Sequence, residues 1–277
     1  MVAFRWWILA PLLIVVGAGC TARPAAEDRA PSSAAVSSTT PTRVSTSPAA
    51  AVVSSSAARP ARSRSTPSPI RQLPPVSAKA RAAGLVDIRT IIPDAIIDLR
   101  YATSNNFVGV RLYPTDARCL VHESMAAGLT TAANQLRRAG DLLVFWDCYR
   151  PHAVQVRMFE IVPDPNWVAR PGPYATSHEA ARSVDVTLAK LATSVQCAAA
   201  QRIQGHCLLD MGTDFDDFSA HAHAFASYGI SSQAQSNRSL LRSAMNSGGI
   251  VVYSGEWWHF DGPGSTVQRA QLDAPVD

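Results

Sequence analysis

Hydrophobic and polar positions alternate in three different ways along this chain. Trp6 to Val16 form one uncharged apolar run. Residues 21–80 show no rhythm, being rich in Ala, Ser, Thr, Pro and Arg and free of aromatic residues. From about residue 84, "GLVDIRTIIPDAIIDLRYATSNNF" brings Ile and Val in strand-like runs. "HESMAAGLTTAANQLRRAG" (122–140) predicts a helix closed by a glycine, and "DLLVFWD" a short apolar strand. "PHAVQVRMFEIV" predicts a second helix with Pro151 in its first turn, and "SVDVTLAKL" an alternating strand. "NRSLLRSAMNSGG" predicts a third, amphipathic helix, and "IVVYSGEWWHF" a return to strand. No segment repeats. Helices and strands mix without regular βα alternation, which predicts an α+β fold with helices packed on an antiparallel-rich sheet.

Composition divides the chain. Residues 1–20 read as an export signal, with Arg5 before an apolar run shorter than the roughly 20 residues of a spanning helix. Small residues lead to Cys20, as in a bacterial lipoprotein signal whose cysteine is lipidated, although Gly17 stands where leucine is usual. Plain secretion and a retained anchor are the alternatives. Residues 21–80 cannot bury enough apolar area to offset their ordering entropy, which predicts a disordered tether. Residues 81–277 then form one domain large enough for a substantial core. The expected location is outside the cytoplasm, on a lipid anchor facing the wall or periplasm. Residues 1–80 hold 9 Lys/Arg against 2 Asp/Glu, and the remainder 16 against 19, so the basic balance belongs to leader and tether. A mildly acidic domain argues against nucleic acid as a partner.

Four cysteines follow Cys20: Cys119, Cys148, Cys197 and Cys207. An even count in an exported domain predicts two disulfides. Of three pairings, sequence proximity favours Cys197–Cys207, leaving Cys119–Cys148. A thiolate zinc site would compete but lacks any C-x-x-C pair, and a catalytic Cys148 is the remaining reading.

Among seven histidines, His178 and His259 have unusual company. His178 precedes Asp185 by seven residues, about 10.5 Å along a helix and too far to share an ion. If the chain turns back into the following strand, the two side chains converge. With His259 they would offer three ligands and leave a position open, as catalytic zinc requires. Glu256 and His259 would need a bend near Gly255 to share a face. The same spacing also suits histidines satisfied in a core or on the surface.

"SHEAARSVDVTL" followed by "EWWHF" resembles the paired zinc motifs of the D-alanyl-D-alanine dipeptidases, the VanX-like branch of the M15 metallopeptidases. "LRYATSNNF", "WDCYRP", "DMGTDFDDFSAHAH" and "NRSLLRSAMNSGG" resemble further blocks of that family in the same order, over roughly residues 85–265. The resemblance implies one zinc ion per domain held by His178, Asp185 and His259. It implies Glu256 as general base, Arg150 as the cation facing the developing oxyanion, and Asp216 as the acid near the substrate ammonium. Tyr101 and Thr176 match substrate-contacting positions, Thr176 standing where serine is common. Ala181 replaces a glycine and would strain the turn if that position needs positive φ. Cys148 replaces the glycine of the Asp-Gly-Tyr-Arg-Pro turn, and a bond to Cys119 would explain this and fix the loop that aims Arg150.

Trp257 and Trp258 read as packing residues, with strand alternation sending one ring inward and the other toward Glu256, whose pKa a desolvated wall would raise. His221 and His223 are candidates for a second metal. His122, His152 and His206 read as surface or helix-end residues, and Asp147 as the group that orients its own turn. The expected function is hydrolysis of D-Ala-D-Ala in cell-wall peptide metabolism. The alternatives are a D,D-carboxypeptidase or endopeptidase on longer peptidoglycan peptides, and a non-catalytic wall-binding lipoprotein.

Overall fold

The computed structural model describes residues 73–272 and 274–277. The export signal, Cys20 and residues 21–72 of the expected tether lie outside them. Helix α1 (Ala78–Ala82) spans residue 81 and is capped by the Ser77 hydroxyl, which accepts from the Ala80 amide. The strand-like run that follows is broken. Strand β1 (Leu85–Asp87) ends where the Asp87 carboxylate caps a helical turn, α2 (Ile88–Ile91), and β2 (Ile96–Ile97) resumes after it. Strand β3 (Leu120–His122) pairs antiparallel with β1.

His122 therefore belongs to a strand, not to the predicted helix. Its ring caps a 3-10 turn (Glu123–Met125), after which α3 (Ala126–Arg138) runs to Gly140, where a φ of +82° provides the expected glycine stop. Strand β4 (Asp141–Asp147) and helix α4 (His152–Ile161) follow as the pattern predicts, with Pro151 as N-cap. Strand β5 (Ser183–Lys190) precedes a small hairpin of β6 (Arg202–Ile203) and β7 (His206–Cys207). Helix α5 (Ser232–Ser247) starts five residues before the predicted Asn237, because the Ser231 hydroxyl caps it at the Ala234 amide. The expected single strand at the end is two: β8 (Val251–Val252) and β9 (His259–Asp261) pair as a hairpin around a turn.

The main sheet has the order β2-β4-β5-β9-β8, with β2 parallel to β4 and every other pair antiparallel. The fold is α+β. Strand β4 and all but the last residue of β5 are buried, so β4 reads as a near-continuous apolar run, while β5 buries Ser183, Asp185 and Thr187 among its apolar residues. Leu129 and Leu136 of α3 and Leu241 and Met245 of α5 bury their side chains in the core they share with Val144, Val186 and Phe260. The two helices approach closely at Gly128 and the Gly248 carbonyl, where a Cβ on either glycine would collide with the other's backbone. A second cluster, including Tyr149, Ala181, Leu120 and Val276, packs the C-terminal tail beneath the turn that follows β4. Among the described residues, no helix is long and apolar enough to cross a membrane.

Candidate active site

Sheet register builds the site. Asp147, Asp185 and His259 are direct neighbours across β4, β5 and β9. An irregularity between Phe145 and Asp147 skips Trp146 in the β4–β5 pairing, a bulge of the kind that re-aims side chains beside functional sites. His178 reaches the same place from a 3-10 turn, Ser177–Ala180, that folds back onto β5. Both ends of that turn are left-handed, with φ of +48° at Ser177 and +56° at Ala181. The alanine in the family's glycine position thus sits in the backbone region that glycine prefers, fully buried.

The donor atoms converge. His178 Nε2 lies 3.3 Å from Asp185 Oδ1 and 3.1 Å from His259 Nδ1, and the latter lies 3.0 Å from Asp185 Oδ1. Ligands about 2.0–2.1 Å from a tetrahedral ion stand about 3.3 Å apart, so these three atoms match one face of such a site. The outer nitrogens agree. His178 Nδ1 donates to the Cys148 carbonyl at 2.8 Å, which leaves Nε2 with its lone pair toward the centre. His259 Nε2 faces Asp261 Oδ1 at 3.4 Å, so Nδ1 is the nitrogen turned inward. Burial alone would lower the pKa of His259, yet the Asp185 and Asp261 carboxylates raise it to about 10.

Around the triad, Tyr101, Arg150, Thr176, Asp216 and Glu256 line the same cavity of about 550 Å³. Glu256 Oε2 is 3.9 Å from His259 Nδ1, near the ligand set and outside it. Burial raises its pKa, with Asp185 adding to the effect and His259 opposing it. Burial works against the charge of Arg150, but Asp147 Oδ2 accepts from its Nη2 at 2.7 Å and from its Nε at 3.1 Å, and keeps it protonated. Asp147 is fully buried and also accepts from the Tyr113 hydroxyl and the Cys148 amide, so it does orient its own turn. The Arg150 guanidinium lies over the Tyr101 ring, and the Tyr101 hydroxyl donates to both Asp216 oxygens at 3.2 Å. Burial, with Asp185 and Glu256 nearby, pushes the Asp216 pKa well up. Thr176 stands at the rim as the cap of the His178 turn.

Both disulfides form, Cys119–Cys148 with Cα atoms 5.3 Å apart and Cys197–Cys207 at 5.9 Å. Both tryptophans are buried in the bend ahead of β9, and they divide as expected, only Trp258 lining the catalytic cavity. Trp257 donates from Nε1 to Thr213 Oγ1, while Trp258 packs on Phe215 and walls the cavity beside Glu256. His221 and His223 join no group of metal donors among the described residues. His152 pairs with Glu179 at 2.6 Å, and His206 holds the Lys190 carbonyl.

Sequence reasoning missed Gln155 and Asp261. Gln155 is buried, accepts from Arg150 Nη1 at 2.8 Å and donates to the Ala169 carbonyl at 2.7 Å. No periodicity marks it. Asp261 had a signal: two residues beyond His259 on a strand, it shares that residue's face.

The M15 peptidase family model, described as D-ala-D-ala dipeptidase, matches residues 81–277. The chain is 34% identical over 179 residues to a D-alanyl-D-alanine dipeptidase of Escherichia coli, covering 65% of this chain and 84% of that protein. It is 28% identical over 204 residues to one from Enterococcus faecium (65% and 91%), and 30% identical over 184 residues to one from Streptomyces coelicolor (59% and 83%). The chain thus belongs to the D-Ala-D-Ala dipeptidase family of M15 peptidases.

Proposed function

We propose that this protein is an exported, zinc-dependent dipeptidase that cleaves D-Ala-D-Ala to two D-alanines in cell-wall peptide metabolism. The convergence of His178, Asp185 and His259 in one cavity with Glu256, Arg150 and Asp216 carries the reading. Two nitrogens and a carboxylate are a donor set suited to zinc. A zinc ion held there would polarise the scissile carbonyl and lower the pKa of a bound water to about 7. Glu256 takes the proton from the attacking water and returns it to the leaving amine, a task its raised pKa suits. Arg150, fixed by Asp147 and Gln155, faces the oxygen on which negative charge develops. Asp216 and Tyr101 receive the substrate's ammonium group, and Thr176 contacts the substrate at the rim.

Two disulfides fit an oxidising compartment and support export. Lipidation at Cys20 would then tether the domain at the membrane surface, facing wall or periplasm. The test is zinc content and D-Ala-D-Ala hydrolysis on the same purified protein. About one zinc per chain is expected, with activity lost to a chelator and restored by zinc. A metal-free, fully active preparation refutes the proposal.

A further inference from the structure

We infer that an aromatic wall at the mouth of the cavity, formed by Phe107, Phe218 and Trp167, is a side-chain subsite that admits a bulky apolar residue at the amino end of the dipeptide. The inference rests on the dipeptidase reading and extends it to a wider substrate class.

The wall begins where the substrate's amino group is placed. Tyr101, whose hydroxyl donates to Asp216, meets Phe107 edge-on at 6.4 Å between ring centres. Phe107 meets Phe218 edge-on at 5.1 Å, and Phe218 stacks on Trp167 at 5.0 Å with only 14° between planes. Phe218 and Asp216 come from one turn. Asp216 is left-handed, with φ +60°, and the Asp217 carboxylate accepts from the Ser219 amide at 2.8 Å. The same bend of backbone therefore presents the acid to the cavity and the phenyl ring to its mouth. In a dipeptide whose ammonium pairs with Asp216, the first side chain branches one bond from that nitrogen, so it emerges beside Phe107 and Phe218.

Trp167 is 50% exposed, which is unusual for so large an apolar ring, yet its turn is well braced. The Asp164 carbonyl accepts from the Trp167 and Val168 amides, and the Asp164 carboxylate accepts from the Asn166 amide. Val168 is buried, and the Ala169 carbonyl is held by Gln155. A fixed, partly uncovered aromatic face beside a cavity of about 550 Å³ offers apolar surface that a methyl group leaves in water. Covering it rewards larger side chains, since each methylene in an apolar pocket changes kcat/KM by about 10–200-fold.

The experiment compares D-Ala-D-Ala, D-Leu-D-Ala and D-Phe-D-Ala on the zinc-loaded full chain. Calorimetry on Glu256→Gln protein measures binding apart from turnover. The expected result is kcat/KM for the two bulky substrates at least equal to that for D-Ala-D-Ala. Phe218→Ala and Trp167→Ala should each lower the bulky-to-small ratio by about tenfold, matched by the ratio of dissociation constants. Phe218→Leu, which keeps apolar bulk, should fall between. Hydrolysis of D-Ala-D-Ala with the bulky substrates a hundredfold slower, or ratios unmoved in every variant, overturns the subsite while leaving the dipeptidase reading intact. Tighter binding of D-Leu-D-Ala without turnover of any dipeptide would support the subsite and remove the dipeptidase reading.

Discussion

The Cys148 carbonyl accepts a hydrogen bond from Nδ1 of His178 at 2.8 Å, while the Cys148 side chain is bonded to Cys119 on the neighbouring strand β3 side of the fold. One residue thus ties a covalent staple to the outer nitrogen of a candidate metal ligand. Its neighbours add to the same turn: Asp147 grips Arg150, and the Arg150 amide donates to the His178 carbonyl at 3.1 Å.

The double variant Cys119→Ser, Cys148→Ser should therefore lose more than stability. Opening a crosslink across 29 residues costs about 2–5 kcal/mol, read from urea unfolding. The freed turn should also weaken zinc binding by about 10–100-fold, the usual effect of disturbing a ligand's outer partner. A folded variant with native zinc affinity would mean that the remaining contacts, such as Tyr149 N to Leu120 O at 2.8 Å, hold the turn unaided.

Glu256 should control the acid side of the pH profile. Its pKa is raised by burial, so the proton-accepting form is present above that value and is lost as pH falls through it. The acidic limb of kcat/KM is expected above the ordinary carboxylate range, at a pH where exposed carboxylates are still charged. Glu256→Gln should lower kcat by about 10²–10⁴-fold and leave zinc bound, because the carboxylate stands outside the ligand set. Metal analysis of that variant is decisive: an empty site would make Glu256 a ligand.

The legible parts of this molecule are those where local pattern and tertiary role coincide. Strand β4 is apolar between its terminal aspartates because it is buried along its whole length, and the polar–apolar alternation of β5 marks that segment as a strand. The start of α5 was hidden because Ser, Gln and Asn fill its first turns and carry no apolar rhythm. The end of the chain reads as one strand because its hairpin turn contains two tryptophans, and tertiary burial rather than strand pairing explains their hydrophobicity. Within the site, His178, Asp185, Glu256 and His259 were visible through spacing and family resemblance. Gln155 was not, since its role depends on the distance between a helix and a loop.

That residue is testable as a positioning group. Gln155 Oε1 occupies Nη1 of Arg150, and Asp147 occupies Nε and Nη2, so the guanidinium plane is fixed from two sides. Gln155→Met removes the acceptor and should lower kcat about tenfold with little change in KM, as for an interaction acting through the transition state. Gln155→Glu retains an acceptor and should recover most of the rate. In an Arg150→Ala background the Met substitution should add nothing, because the two act as a unit. Additive effects would show that Gln155 supports the site only through general packing.

Asp216 sets the last expectation, that a free amino group is required. Its neighbours do not line the catalytic cavity: Asp214 lines an adjoining one, and the Asp217 carboxylate caps the Ser219 amide. Asp216 alone of the three lines the catalytic cavity, where burial and nearby carboxylates hold its pKa well up. An arriving ammonium supplies the missing counter-charge, so the free-amino substrate binds the ionised form. N-acetylation removes that partner, the acid stays protonated, and the lost charge-assisted pair costs about 1.5–3 kcal/mol, or roughly one to two decades in rate. Wild-type protein should therefore hydrolyse D-Ala-D-Ala far faster than its N-acetyl form or a wall pentapeptide. Asp216→Asn should narrow the gap by slowing the free dipeptide. The sign of the pH effect is fixed as well: as pH falls through the raised pKa, KM for the free dipeptide rises, and KM for the capped one stays flat. Equal turnover of capped and free substrates at neutral pH would instead place the protein among enzymes that trim longer peptides.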